Sequence, residues 1–514
     1  MQHVLVLTVF IEEKIPRRMS KLTVHKDGQQ YDYTISLGDN LLHLFQKDFV
    51  IEAPCGGNGT CGKCRVKVKD HGIVTACTFY PDADIEVYLP NEQESKILTT
   101  QYNDILKLPL TRDSITTNST YPLGLALDIG TTSVVFYWMS LITGAVIQTN
   151  GIANPQVKYG ADVISRISFC TSGNGLDKLQ HELILLINDQ IGVFTKQHGI
   201  SKTDITKITV AANTTMLHLL ARVDPSSMAT APYTPTFTES RVLSSESLGI
   251  KCHPKANIYL LPSVSAFVGA DVLAGLSALS PPDIIRNYLF IDIGTNGEMA
   301  LVTPKQIYCC ATAAGPAFEG ANISCGMGAF NGAISAYGAT GCQTISDEKP
   351  RGICGSGLID CVAYLLDENI ISSDGLMESQ YVLADEKASG TGKPIVITPH
   401  DIREVQLAKS AIASGICILM EIAGLSFDSI DALYLAGGFG NYLNPKSATK
   451  IGLLPIEMKD RIIPVGNTSG AGAVLALQSD LFADVIKTNL DMMTHIELSE
   501  HANFEMEFAM NMYF

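Results

Sequence analysis

The chain has 514 residues, 46% of them hydrophobic, with a formal net charge of -16 and a pI near 5.1. That length is too great for a single core and implies about three or four compact units. The acidic balance, with no clustered run of Lys and Arg, excludes nucleic acid and an anionic membrane as main partners, because phosphate binding needs such clusters. No uninterrupted apolar segment reaches the roughly eighteen residues that span a bilayer. The apolar run in the opening MQHVLVLTVFIEEK is too short and too soon followed by acids for a secretory leader, so Met19 is a candidate start. Thirteen cysteines without a paired spacing pattern point to a reducing cytoplasm rather than a disulfide scaffold.

From Lys21 to Ser36, apolar and polar residues alternate on either side of Lys26-Asp27-Gly28, which predicts a hairpin. Asp39 is expected to cap a short helix that buries Leu41, Leu42 and Phe45. The stretch Ala53–Cys77, APCGGNGTCGKCRVKVKDHGIVTAC, then sets Cys55, Cys61, Cys64 and Cys77 in a C-x5-C-x2-C-x12-C array. Glycines between the first three thiols let the backbone wrap an inorganic core and aim N–H groups at its sulfurs. Zinc sites more often show two CxxC knuckles or a Cys/His mixture, whereas here there is one CxxC and His71 has no second histidine at ligand spacing. The array resembles the [2Fe-2S] loop of plant-type and adrenodoxin-like ferredoxins, which implies that these four cysteines hold such a cluster. It departs from them in the short gap before the last cysteine. With short strands around Cys64–Lys69 and Ile85–Leu89, residues 20–90 are expected to form a β-grasp, ferredoxin-like domain.

Residues 91–122 are rich in Ser, Thr, Asn and Asp and weakly periodic. They read either as a linker that lets the small domain swing or as an ordered arm packed on the next domain. From Leu123 the pattern changes: LGLALDIGTTSVVFYWMS is strand, turn, strand, and it recurs as YLFIDIGTNGEMALVT from Tyr288. Two such loops in related halves, 123–285 and 286–514, predict a duplicated α/β domain with a nucleotide in the cleft between them. Gly130 and Gly294 would bring backbone N–H groups to phosphate oxygens, with Thr131, Thr132, Thr295 and Asn296 as further donors. Asp128 and Asp292 would hold Mg2+ through water. In LYLAGGFGNYLNP, Gly437, Gly438 and Gly440 present bare backbone to a purine or ribose.

In this order the three motifs resemble the phosphate-1, phosphate-2 and adenosine segments of the acetate and sugar kinase, Hsp70 and actin superfamily. This likeness covers residues 123 to about 480 and implies an actin-like (ribonuclease H-like) ATPase fold. Joined to a ferredoxin module, and with AAGPAFEGANISCGMGAFNGAI, GNTSGAGAVLAL and FEMEFAMNMYF in place, the chain is similar to reductive activators of corrinoid proteins. Some relatives carry an extra domain before the ATPase core, for which there is no room here. The likeness implies ATP-assisted transfer of one electron to a Co(II) corrinoid, giving Co(I), with a corrinoid protein and an external electron donor protein as partners, and leaves a homodimer open. A cobalt couple roughly 0.2 V below the donor would oppose transfer by about 4.6 kcal/mol, which gives ATP a purpose.

In kinases of this superfamily a carboxylate after the first half acts as base. The equivalent stretch here reads as ITVAANTTMLHLL, where Asn213 is the candidate that orients water or senses the γ-phosphate. Slow hydrolysis coupled to movement is therefore expected rather than transfer to a sugar. Glu298 and Glu319 are further candidates in the cleft, as is Asp271 at a helix start, and the loop Gly315–Gly332, with Ser324 and Met327, is a candidate surface for the corrinoid protein. Two other classes stay open, an ATP-gated redox-sensing binding module and a small-molecule kinase fused to a ferredoxin.

Overall fold

The structure, a computed structural model, describes residues 19–26, 28–36, 38–45, 48–49, 51, 64–89, 105–111, 121–440 and 442–514. The chain divides into two compact units, Met1–Glu92 and Gln93–Phe514.

In the first unit, strands Met19–Lys26 and Gln29–Ser36 form the expected antiparallel hairpin, and Ile85–Tyr88 runs parallel to the first of them. Arg65–Val68 pairs antiparallel with Ile85–Tyr88, and Gly72–Thr75 lies outside it. A parallel return strand beside a hairpin is the β-grasp arrangement. Alternate residues Leu22, Val24, Val66, Val68 and Val87 face a core shared with Leu41, Leu42 and Phe45 of the helix Leu41–Phe45. Asn40, not Asp39, caps that helix: its Oδ1 accepts the His43 N–H at 2.9 Å, while its Nδ2 donates to the Cys77 carbonyl at 3.0 Å. Strand Gly72–Thr75 was not expected, because its half-exposed residues give no alternation to read.

The second unit holds two six-stranded sheets that share a five-strand arrangement, the sixth strand being added at opposite edges of the two. In the first, Leu123–Ile129, Ser133–Ser140 and Val146–Ala153 form an antiparallel meander, and Ile205–Ala212 returns parallel on the far side of Leu123–Ile129. In the second, Tyr288–Ile293, Gly297–Val302 and Ile307–Thr312 form the meander and Ala432–Ala436 returns parallel. The central strands are nearly continuous apolar runs because helices cover both faces.

Two helices exchange sheets. Ala270–Ala278, from the first half, buries Val272 and Leu276 with Phe290, Ala300 and Tyr434 of the second sheet. Thr468–Gln478, from the second half, buries Val474 and Leu477 with Leu125 and Leu127 of the first, and Thr209 Oγ1 donates to its Ala473 carbonyl at 2.7 Å. At the crossing, a Cβ on Gly472 would stand 2.5 Å from the Ala274 carbonyl oxygen and one on Gly275 2.6 Å from Thr468 Oγ1. Both helices are buried all round, so no apolar stripe announces them in the sequence.

Residues 105–111 pack as an arm on this unit: Leu106 N–H donates to the Ala278 carbonyl and Gln478 Nε2 to the Leu108 carbonyl, both at 2.8 Å. The rest of 91–120 lies outside the described residues. Helix Pro399–Ala423 is long and apolar enough to cross a membrane, and 78% of its most apolar window is buried inside the unit. Asp401 and Lys409 are buried within it and break the apolar run that a sequence scan would detect.

Candidate functional site

The two DIGT turns leave the ends of strands Leu123–Ile129 and Tyr288–Ile293. Each glycine closes its own turn, Gly130 N–H donating to the Ser133 carbonyl and Gly294 N–H to that of Asn296, both at 2.8 Å. The glycine amides are therefore spent inside their own turns, and Thr295 Oγ1 donates to Glu319 Oε1 at 2.9 Å. Thr131 is held from behind: its carbonyl accepts from Arg166 Nη2 at 2.5 Å and its Oγ1 from Asn213 Nδ2 at 3.1 Å. Asn213 also caps helix Thr214–Ala221, accepting the Met216 N–H at 2.9 Å, so it braces the loop from a fixed helix end.

Arg166 is fully buried, and its guanidinium also donates to the Gly160 carbonyl at 2.9 Å and to Gln156 Oε1 at 3.2 Å. Burial lowers its pKa to about 9 against the pull of Asp162 and Glu319. No sequence pattern singled it out, since its role depends on helix Val163–Cys170 folding back onto the turn.

The two motif aspartates differ. Both oxygens of Asp128 are engaged, by Asn467 Nδ2 and Ser469 Oγ at 2.7 Å each, so this residue ties the first loop to the start of crossing helix Thr468–Gln478. Among the described residues no hydrogen bond reaches the Asp292 carboxylate. It stands beside Gly437, whose φ of +83° and contact with Asp292 Oδ1 admit no side chain. Gly437 thus packs directly against the end of strand Tyr288–Ile293. Gly440 is buried, with the place of a Cβ 2.7 Å from Leu435 Cγ, and Gly438 alone of the three is exposed.

Asp271 opens crossing helix Ala270–Ala278. ITVAANTTMLHLL, residues 208–220, forms the end of strand Ile205–Ala212, the Asn213 cap and most of helix Thr214–Ala221. Helix Ala270–Ala278, which follows the first sheet, carries a carboxylate in its first turn. Glu298 lies opposite Asp292 on the neighbouring strand. Burial pushes Asp271 and Asp292 up to about 7, with the charges of Asp292 and Asp128 adding to it for Asp271 and that of Asp128 for Asp292. Glu298 is held well above the usual carboxylate range by burial and by Asp271 and Asp292. Among the described residues no three His, Cys, Asp or Glu side chains converge as ligands of one ion. Because their folded pKa values are raised, Asp271 and Asp292 contribute stability that is complete below about pH 4 and is lost as pH rises through about 7.

In the first unit, Cys64 and Cys77 are buried neighbours, with the Cys77 N–H donating to Cys64 Sγ at 3.4 Å. A main-chain donor on a sulfur is what a thiolate-bound cluster favours. Cys55 and Cys61 lie outside the described residues.

Against known proteins, residues 286–514 match a family model described as the C-terminal, ASKHA domain of RACo, and 123–280 match the RACo middle region. A corrinoid activation enzyme, RamQ, from Eubacterium limosum is 31% identical, the alignment covering 90% of this chain and 93% of that one. The chain belongs to the reductive activators of corrinoid proteins. A solved reductive activator for a corrinoid, iron-sulfur protein is 32% identical with a TM-score of 0.69, over 96% of this activator and 98% of that chain. A reductase of a Co(II) methylated amine-specific corrinoid protein from Methanosarcina barkeri is 28% identical over 71% of this activator and 72% of its own length. Residues 286–514 of this activator thus carry the ASKHA, actin-like ATPase fold.

Proposed function

We propose that this activator couples ATP hydrolysis in the second unit to one-electron reduction of a partner's Co(II) corrinoid to Co(I), serving a methyltransferase or O-demethylase system in the cytoplasm. The observation that carries the reading is the meeting of two phosphate-type turns and four carboxylates, Asp128, Asp271, Asp292 and Glu298, where two crossing helices join the halves. Thr131, Thr132, Thr295 and Asn296 supply donors for the polyphosphate, and exposed Gly438 offers bare backbone to the nucleoside. Asp292 and Glu298 hold hydrated Mg2+. Asp271, with a pKa near neutrality, takes the proton of the attacking water. Asn213 keeps Thr131 in place and need not touch the water.

Cys55, Cys61, Cys64 and Cys77 hold a [2Fe-2S] cluster that supplies the single electron, received from an external donor protein. Gly437, packed on Asp292, places the third motif where nucleotide occupancy is felt by both halves. Anaerobic mixing of the reduced, iron-loaded protein with a Co(II) corrinoid protein tests this. The visible spectrum of Co(I) should develop with ATP and not without it. Association without a spectral change would favour a redox-sensing module, and a phosphorylated small-molecule product would favour a kinase.

A further inference from the structure

Glu319 ends the short turn Pro316–Glu319 of the second half. Its Oε1 accepts from Thr295 Oγ1 of the second turn at 2.9 Å, and Thr132 of the first turn favours the ionised form of the same carboxyl. The buried Arg166 that braces Thr131 adds its positive charge from behind. The Glu319 carboxyl, its pKa raised by burial and drawn back by Thr295, Thr132 and Arg166, thus sits between side chains from both halves. That is the donor set a terminal phosphate would seek, and two anions cannot share it.

The backbone around Glu319 is packed closely on both sides. Phe318 stacks on Phe439 of the glycine turn, ring centres 5.2 Å apart and planes 10° from parallel. On the other side, Gly320 lies so close to Met327 that a Cβ would stand 2.6 Å from the Met327 nitrogen, and Gly326 packs back on the Gly320 carbonyl. Met327 N–H donates to the Ile353 carbonyl at 2.9 Å, and Ser324 N–H to Asp401 Oδ1 at 2.7 Å. The side chains of Asn322 and Ser324 are exposed on the outer surface of this knot.

We propose that Glu319 is a positioning residue that acts as a latch. It holds the two phosphate turns together when no nucleotide is bound, and the terminal phosphate of ATP displaces it, shifting the 320–332 segment and thereby reporting nucleotide occupancy on the surface. This rests on the reading of the cleft as an ATP site. Displacement breaks the hydrogen bond from Thr295 to the carboxyl and re-forms it to a phosphate oxygen, so that donor is not left unpaired.

The test combines calorimetric titration of ATP and of adenosine with hydrogen exchange of the 320–332 segment, in the wild-type chain, Glu319→Ala and the size-conserving Glu319→Gln. Both variants should bind ATP at least about fivefold more tightly, with adenosine affinity unchanged. In the wild type ATP should change exchange in 320–332, and the nucleotide-free variants should already show the ATP-bound pattern. A merely structural residue would weaken both ligands alike. That result in both variants, or unaltered ATP affinity, would overturn the latch. A wild-type chain that binds no ATP would overturn the reading of the cleft, and the latch with it.

Discussion

Asp292→Asn is expected to slow ATP turnover by about a hundredfold or more while the chain stays folded. No hydrogen bond among the described residues depends on this carboxylate, so Asn leaves the packing beside Gly437 intact. The loss falls on the charge that Mg2+ needs, and removing one preorganised electrostatic group from an active site typically costs about 10² to 10³ in rate. Asp128→Asn offers the contrast. There Asn467 and Ser469 both donate to the carboxylate, and an amide keeps one acceptor and sets a donor against a donor, so helix Thr468–Gln478 should loosen. Phosphate release and denaturant melts on both variants separate the cases: catalysis without stability for Asp292, some of each for Asp128. pH gives a second signature. Since ionising Asp292 costs folded-state stability as pH rises toward and through about 7, Asp292→Asn should gain in melting temperature over the nucleotide-free wild type, and by more at pH 8 than at pH 5. An equal offset at both pH values would show that Asp292 titrates in its ordinary range.

Gly472→Val is expected to destabilise the second unit by about 3 kcal/mol, near the upper end of overpacking costs. The obstacle is main chain: the first added carbon would already sit 2.5 Å from the Ala274 carbonyl, which belongs to the helix that crosses into the other sheet. Relief requires the two helices to separate. Each helix carries part of the cleft at its start, Asp271 on one and Ser469 on the other, so separation should draw these groups apart. Denaturant melts should show the loss of stability, and ATP affinity should fall with it. A variant with wild-type stability and weakened ATP binding, or the reverse, would show that the crossing does not tie the two properties together.

The parts of this architecture that could be read from residues alone are those written locally. A DIGT turn between two apolar runs is contiguous, as is the hairpin around Lys26 and Gly28, and both the turns and the hairpin stand where the pattern put them. What could not be read depends on chain segments meeting. The crossing helices have no polar face and hence no period. Arg166 reaches the first turn only after other elements fold back, and Asn467 meets Asp128 across a separation of 339 residues. Asp271 was visible as an acid at a helix start, but its place in the cleft follows from which helix links the halves. The capping residue slipped by one, from Asp39 to Asn40, because adjacent Asp and Asn are equivalent as caps until the register of the helix is known.

The most direct measurement is the anaerobic rate of Co(I) formation by fully iron-loaded protein in which Asp128 and Asp292 are both replaced by Asn, with ATP present and a Co(II) corrinoid protein as substrate. If nucleotide turnover drives the electron uphill, this variant should show an intact cluster signal in electron paramagnetic resonance and almost no Co(I). Co(I) appearing at the wild-type rate would contradict that coupling and leave the ATPase unit without a part in the reduction.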